Sequence, residues 1–127
     1  MKRSASALLL AAFVALAVAV PVVLAGGKTQ IALRPAKAYP RAKGSAQYQA
    51  QTGQRELQVE VEHLRALRGK RVFFYVNGTQ IGAARVTGLG KAELSRNTEL
   101  GQRVPLVSSG TKVAVRTSRA AVVSGSF

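Results

Sequence analysis

A short stretch in the middle of the chain, RVFFYVNGTQIG over residues 71–82, carries the strongest constraint on the fold. Asn77-Gly78 lies between two runs of strand-forming residues, and this dipeptide supplies the two positive φ values of a type I′ turn. The run before the turn has two apolar faces, with Val72, Phe74 and Val76 on one and Phe73 and Tyr75 on the other. Apolar residues on both faces indicate a central strand, or an outer face with an aromatic patch. The stretch therefore predicts a β-hairpin within a larger sheet.

Alternation of apolar and polar residues extends the strand prediction to most of the chain. It is clearest in 55–64, where aliphatic residues alternate with glutamate and glutamine. The predicted strands are 29–34, 44–51, 55–64, 71–76, 79–87, 91–96, 112–117 and 121–127, with a bulge near Ala84-Arg85. Pro105 favours an edge strand or a crossing between sheets, because proline lacks the N–H that a ladder needs. Seven or eight short strands in about 100 residues predict an all-β fold, a single antiparallel β-sandwich of the immunoglobulin-like kind.

The first 25 residues form a separate unit. A basic start, MKR, is followed by an apolar run from Ala7 to Val20, and Val23 and Ala25 suit signal peptidase. This pattern predicts a cleaved signal peptide over 1–25 and one domain over 26–127, exported to the periplasm or the exterior of the cell. A retained membrane anchor is the alternative, because the apolar run approaches the roughly 20 residues of a spanning helix. The alanine-rich composition of the run favours cleavage.

Charge is the most unusual property of the chain. It holds 19 Lys and Arg residues against 5 Asp and Glu, and it has no cysteine. Removing Lys2 and Arg3 with the leader lowers the net charge from +14 to +12. Such a field favours anionic partners, although solubility by net charge alone explains the composition equally well. Without cysteine, the domain has neither disulfides nor a zinc site built on thiolates.

The cations are concentrated in two predicted connections. The first follows Pro35 and surrounds Tyr39, and the second connects the strands 55–64 and 71–76. These connections supply the candidate polyanion-binding residues Lys37, Arg41, Lys43, Arg65, Arg68, Lys70 and Arg71. Because Lys and Arg neutralise the closely spaced charges of polymers, the expected partner is an acidic polysaccharide, lipopolysaccharide or nucleic acid. The alternative for both stretches is a solvated connection that binds nothing.

Two carboxylates on one strand face are the candidates for catalysis. Glu60 and Glu62 project to the same side at i, i+2, an arrangement that acid–base chemistry or a metal ion could use. A salt-bridge ladder with the cations of 65–71 is the favoured interpretation. His63 is the single histidine, and the chain has no aspartate to complete a triad. We therefore expect no enzyme, no catalytic, cofactor-binding or metal-ligating residue, and no cofactor.

The order of several segments resembles a known group of proteins. The segments are GSAQYQ, ELQVEVEHL, GKRVFFYVNGTQIG, GLGKAELSRNTELGQRVPLVSSGTKVAVR and VVSGSF. Their order is similar to that in small exported bacterial single-domain β-sandwich proteins of unassigned function. The matching positions are turn and core residues, so the resemblance implies the fold and export and transfers no catalytic residue. A weaker likeness is to chordin-type domains, which share an opening of an apolar strand, a proline and a small-Gly-x-Ala segment. The His-rich segment of that family is missing here.

Together, these features predict a secreted, non-enzymatic basic module that binds an anionic partner through Lys- and Arg-rich loops. The alternative is a structural or assembly subunit of the cell envelope, with Phe73 and Tyr75 as its interface for protein–protein contacts. Cations gathered on one face of the folded domain would favour the first hypothesis. An even spread would favour plain solubility.

Overall fold

The computed structural model describes residues 22–24 and 27–127. These residues form β1 (Val22–Leu24), β2 (Lys28–Pro35), β3 (Lys43–Gln51), β4 (Gln54–Glu62), β5 (Arg71–Val76), β6 (Thr79–Arg85), β7 (Ala92–Asn97), β8 (Lys112–Arg116) and β9 (Ala121–Ser126). Two short 3-10 helices, Arg65–Leu67 and Thr98–Leu100, follow β4 and β7. The pairings between these strands are all antiparallel. The predicted all-β, antiparallel, single-domain class is confirmed.

One continuous sheet contains the described strands. Its order is β6-β5-β8-β9-β2-β3-β4-β7, and β1 pairs with β2 outside this path. Strand β2 belongs to both halves of the sheet, because its residues 28–33 pair with β3 whereas Arg34 and Pro35 pair with β9. The two halves that meet at β2 face each other across a single core. The last strands of the path, β6 and β7, approach each other without pairing in the described sheet, which is therefore nearly closed.

Alternation places one face of each strand in the core. In β4, Leu57, Val59 and Val61 are at most 1% exposed, while the intervening polar side chains are half-buried on the outer face. In β5, Phe74 is fully buried and the residues on either side of it are half-buried. Strand β5 is central, with β6 and β8 as its neighbours. The faces predicted from the periodicity of 55–64 and 71–76 are therefore confirmed.

The predicted hairpin connects β5 and β6. Asn77 and Gly78 have φ values of 48° and 80°, as a type I′ turn requires. The bulge predicted near Ala84-Arg85 is wrong in position. Phe74 pairs with Gly82 and the next residue, Tyr75, pairs with Gln80, so Ile81 is the extra, unpaired residue of the bulge. Next to the bulge, the missing side chain of Gly82 leaves space for Arg96 and Leu94 of β7.

The segment 98–111 crosses from β7 to β8, as the proline at position 105 predicts. Val104 is buried, and its carbonyl oxygen accepts hydrogen bonds from Nε and Nη2 of Arg55 at 3.2 and 3.1 Å. Phe127 is buried at the same end of the sheet, with its ring centre 6.4 Å from that of Tyr48 in an edge-on contact. The crossing and the last residue together cover this end of the core.

Most of the predicted leader, 1–25, lies outside the described residues. The described part of this leader is β1, which pairs antiparallel with β2 of the domain, from Val22 opposite Gln30 to Leu24 opposite Lys28. The signal peptide, its cleavage and export stay predictions. No helix within residues 22–24 and 27–127 is long and apolar enough to cross a membrane.

Candidate functional site

The antiparallel order brings every second connection to the same end of the sheet. The connections β2–β3 (36–42), β4–β5 (63–70), β6–β7 (86–91) and β8–β9 (117–120), with the strand residues that adjoin them, form what we call the basic end. These connections contain seven cations and no carboxylate: Lys37, Arg41, Arg65, Arg68, Lys70, Lys91 and Arg119. The connections at the opposite end, 52–53, 77–78 and 98–111, contain one cation, Arg103, and one carboxylate, Glu99. The positive charge of the connections is gathered at one end.

All seven candidate polyanion-binding residues lie at the basic end. Five of them are in its connections, and Lys43 and Arg71 are the first residues of β3 and β5, which begin there. Each of the seven side chains is exposed to solvent. The fold thereby brings together two basic clusters that two strands separate in the sequence.

A cleft of about 540 Å³ lies where the first two of these connections meet. Its lining comes from 38–42 and 63–66, so Arg41 and Arg65 contribute to one site from the two predicted clusters. Tyr39 and His63 also line the cleft, and the buried Leu64 adds an apolar surface. An aromatic ring beside guanidinium groups can stack on a base or on the C–H face of a sugar ring while the cations bind the negative charges of the ligand.

Backbone hydrogen bonds fix the second wall of the cleft. The N–H of Leu64 donates to the carbonyl of Gly90 at 2.8 Å, and the N–H of Gly69 donates to the carbonyl of Val86 at 2.9 Å. The connection 63–70 is therefore docked along 86–91. Gly90 permits this close approach, because it has a φ of 84° and a Cβ atom there would lie 2.8 Å from the backbone N of Arg65.

The first wall is anchored by both backbone and side chains. Ala42 is buried, and Tyr39 packs against the core. The N–H of Ala42 donates to the carbonyl of Tyr39 at 3.0 Å, and the N–H of Ala36 donates to the carbonyl of Val122 at 2.8 Å. Because both walls are already ordered, binding through them costs less conformational entropy than binding through a free loop.

None of the seven candidate residues forms an ion pair with another described residue. The ion pair found in this part of the chain joins Nζ of Lys91 to Oε2 of Glu60 at 2.8 Å. This hydrogen bond, reinforced by the negative charge of Glu60, raises the pKa of Lys91 above its ordinary value of 10.5. Lys91 is thus neutralised by a carboxylate, whereas the seven candidate cations can meet an anion without first breaking an ion pair.

The carboxylates Glu60 and Glu62 lie on the outer face of β4. Glu60 is opposite Glu93 of β7, and Glu62 is opposite Lys43 of β3. Glu60 forms its ion pair with Lys91 of the connection 86–91 and not with the cations of 65–71, so the predicted charge ladder is wrong in its partners. Across the described ranges, no three His, Cys, Asp or Glu side chains are grouped so that they could hold a metal ion.

Five of the seven candidate cations do not line the cleft: Lys37, Lys43, Arg68, Lys70 and Arg71. Arg68 donates from Nε to the carbonyl of Arg65 at 3.2 Å, so its guanidinium group is held beside the cleft wall. The guanidinium group of Arg71 lies over the ring of Phe73, 5.6 Å from its centre. These five extend the basic surface around the cleft.

The predicted interface residues Phe73 and Tyr75 are on the outer face of β5, and both are half-buried. Tyr75 lines a shallow groove of about 550 Å³ with residues of β8 and β9, including Ala114 and Ser124. The large apolar side chains that the structure leaves exposed are Leu89, Leu100 and Leu106, which lie in connections and not on β5. The aromatic pair is therefore not the centre of a wide apolar patch.

Sequence reasoning did not include Tyr39 and His63 in the site. His63 has a φ of 64°, in the left-handed region that histidine enters more readily than β-branched residues do. The signal that could have found it is its position, directly after a long alternating strand and beside the second basic cluster. Tyr39 is the one aromatic residue within the first cluster, and its anchoring by the core became visible only in the fold.

Neither protein-family models nor curated proteins identify a relative of this chain. No protein-family model matches it, and no curated protein is significantly similar to it in sequence. The resemblance to small exported β-sandwich proteins therefore stays a prediction, and the functional argument depends on the geometry of the basic end.

Proposed function

We propose that the protein is a secreted, non-enzymatic module that binds an anionic polymer at its basic end, with the cleft between Arg41 and Arg65 as the centre of the site. The observation that carries the proposal is the asymmetry of charge between the two sets of connections, seven cations against one. An acidic polysaccharide suits the site best, because Tyr39 offers a stacking surface for a sugar ring while the guanidinium groups bind its carboxylate or sulfate groups.

A polymer binds such a surface with higher affinity than a single ion does. A polymer releases several condensed counterions when several cations bind it, so its affinity depends steeply on salt. Cations within a Debye length of one another, about 8 Å at physiological salt, also reinforce each other's field. The seven candidate cations of the basic end are exposed and form no ion pair with a described carboxylate, so several of them are available to one polymer.

The test measures the binding of alginate, lipopolysaccharide and a DNA duplex to the protein over a range of about 50 to 200 mM salt. The Arg41→Glu/Arg65→Glu variant removes both cations that line the cleft and adds two negative charges. We expect it to weaken polymer binding strongly and to lower the salt slope for DNA by about 2, one unit for each lost contact.

The matched control is Lys28→Glu/Lys112→Glu, which makes the same change of net charge at the opposite end of the sheet. It should leave most of the affinity intact. Equal losses for the two variants would mean that net charge alone determines binding, and the proposal of a defined site would be wrong. A preference for alginate over DNA at equal salt would identify the polymer class.

A structural or assembly role through Phe73 and Tyr75 is the second candidate. The groove beside Tyr75, with small residues of β8 and β9 in its lining, is the observation that favours it. Sedimentation at high protein concentration distinguishes the two roles. A concentration-dependent dimer that Tyr75→Ala abolishes would support assembly, and a monomer throughout would count against it.

A further inference from the structure

A second cleft, of about 740 Å³, lies at the end of the sheet opposite the basic end. It follows the seam between β6 and β7, and we call it the seam cleft. Three arginines line it: Arg55 of β4, Arg96 of β7 and Arg103 of the crossing 98–111. Three different elements thus bring their cations to one place, at an end whose connections contain a single cation.

Two of these guanidinium groups are held in fixed orientations. Arg96 donates from Nε and Nη2 to the carbonyl of Ile81, and Arg55 donates from Nε and Nη2 to the carbonyl of Val104. Each guanidinium group has five N–H donors. In both residues, Nε–H and one N–H of Nη2 are bound to a backbone carbonyl. Both N–H groups of Nη1 and the second N–H of Nη2 remain for a further acceptor.

No carboxylate of the described chain forms an ion pair with any of the three arginines. The carboxylate of the crossing, Glu99, instead accepts a hydrogen bond of 2.9 Å from Nε2 of Gln54. Arg55 and Arg96 are half-buried, so their charges are less hydrated than those of exposed cations. Three like charges around one cleft repel each other, and an anion between them would relieve that repulsion.

We propose that the seam cleft binds a phosphate monoester through Arg55, Arg96 and Arg103. A phosphate monoester has three terminal oxygens and a charge between −1.5 and about −2 at pH 7, so it can accept from three guanidinium groups. A carboxylate has two oxygens and a single charge. Ile81, Val104 and Pro105 also line the cleft and provide an apolar surface for the organic part of the ligand.

The site is independent of the polymer site at the basic end, and its test is separate. Phenyl phosphate, inorganic phosphate and benzoate are titrated into the ¹⁵N-labelled full chain at constant ionic strength. We expect saturable shifts of the Nε–H signals of Arg55 and Arg96. Phenyl phosphate should bind more tightly than inorganic phosphate, because of the apolar surface, and more tightly than benzoate, because of the third oxygen and the second charge.

The variant Arg103→Ala tests the third cation without touching the two structural hydrogen bonds. We expect it to weaken phenyl phosphate binding about tenfold, the effect of one charged hydrogen bond. Arg119→Ala removes an exposed cation at the basic end and should change the affinity by less than about twofold. A third variant, Arg41→Glu/Arg65→Glu, should keep the phenyl phosphate affinity even if it loses polymer binding, so the two proposals can fail separately.

Three results would overturn the assignment. One is that sodium chloride produces the same Nε–H shifts as phenyl phosphate, and another is that Arg103→Ala binds phenyl phosphate as tightly as the parent chain. The third is equal affinity for benzoate and phenyl phosphate, which would show that the cleft does not select the phosphate group.

Discussion

The guanidinium group of Arg96 donates two hydrogen bonds to the carbonyl oxygen of Ile81, from Nε at 3.3 Å and from Nη2 at 3.0 Å. Ile81 is the bulge residue of β6 and Arg96 belongs to β7, so these bonds connect the two strands at which the sheet path ends. Gly82 makes the contact possible, because a Cβ atom there would lie 2.8 Å from both Nη2 of Arg96 and Cδ1 of Leu94. At the seam, hydrogen bonds from the Arg96 side chain connect β6 and β7, which share no backbone pairing in the described sheet.

The substitution Gly82→Ala should therefore open the seam. Its methyl group competes with the far ends of the Arg96 and Leu94 side chains, which can partly move aside, so the cost is at the low end of overpacking, about 1 kcal/mol. We expect the free energy of unfolding in urea to fall by that amount. The Nε–H signal of Arg96 should move at the same time, because the group is displaced from Ile81.

Gly88→Ala is the matched control for that measurement. Gly88 has no heavy atom within 4 Å of an added Cβ and does not have a positive φ. The free energy of unfolding should change by about 0.5 kcal/mol or less. An unchanged stability and an unchanged Arg96 signal in Gly82→Ala would show that the seam does not depend on the missing side chain.

A second glycine, Gly90, holds the basic end together. In Gly90→Ala, the left-handed φ costs about 1 to 2 kcal/mol, and contact with the backbone N atoms of Arg65 and Leu64 adds a clash that no side-chain rotation relieves. Gly53→Ala has the same left-handed strain with open space around it. We expect a clearly larger loss for Gly90→Ala in urea denaturation. Equal losses would mean that the connection 63–70 moves aside without cost.

Asn77 stabilises the hairpin in two ways that can be measured separately. Its φ of 48° favours Asn or Gly, and its Oδ1 atom accepts a hydrogen bond from the N–H of Lys112. Asn77→Gly keeps the backbone geometry and loses the hydrogen bond, at a cost of about 1 kcal/mol. Asn77→Ala loses both, at a cost of about 2 to 3 kcal/mol. Thermal unfolding of the two variants checks the order, and a Gly variant less stable than the Ala variant would contradict it.

The ion pair between Lys91 and Glu60 gives the fold a dependence on alkaline pH. Because the pKa of Lys91 is raised above 10.5 in the folded chain, its contribution to stability is complete below the unfolded-state pKa and is lost as the pH rises through the folded-state pKa. Glu60→Gln removes the carboxylate and should lower the pKa of Lys91 towards 10.5, as followed by NMR titration of the Lys91 side chain. An unchanged titration in Glu60→Gln would show that the pair is not formed in solution.

Local patterns in the sequence were sufficient for the strands β2 to β9 and for the faces of β4 and β5, but they did not predict β1, which lies in the predicted leader. Period-two alternation reports which side of a strand is buried, and the burial of Leu57, Val59 and Val61 follows it. The Asn77-Gly78 turn was predictable for a similar reason, since the two positive φ values depend on the two residues themselves. The grouping of the cations at one end follows from counting strands, because the two basic connections are separated by two antiparallel strands.

Contacts between distant segments could not be predicted in the same way. The pairings of β5 with β8, β9 with β2 and β4 with β7 depend on the whole core and not on any local run. The bulge illustrates the limit, because the spacing of apolar residues in β6 fits an extra residue at several positions. At its observed position, the bulge contacts Arg96 and Leu94, which belong to a strand that does not pair with β6. The seam cleft was missed for this reason.

Strand β1 connects the predicted leader to the folded domain. Its three residues pair with residues 28–30 of β2, so cleavage after Ala25 would remove the strand and leave that length of β2 as an open edge. Backbone groups on an open edge are exposed to solvent and to other extended chains. Cleavage at this position would then change the sheet as well as release the leader. Faster hydrogen exchange at the amides of 28–30 in the mature protein would show that change.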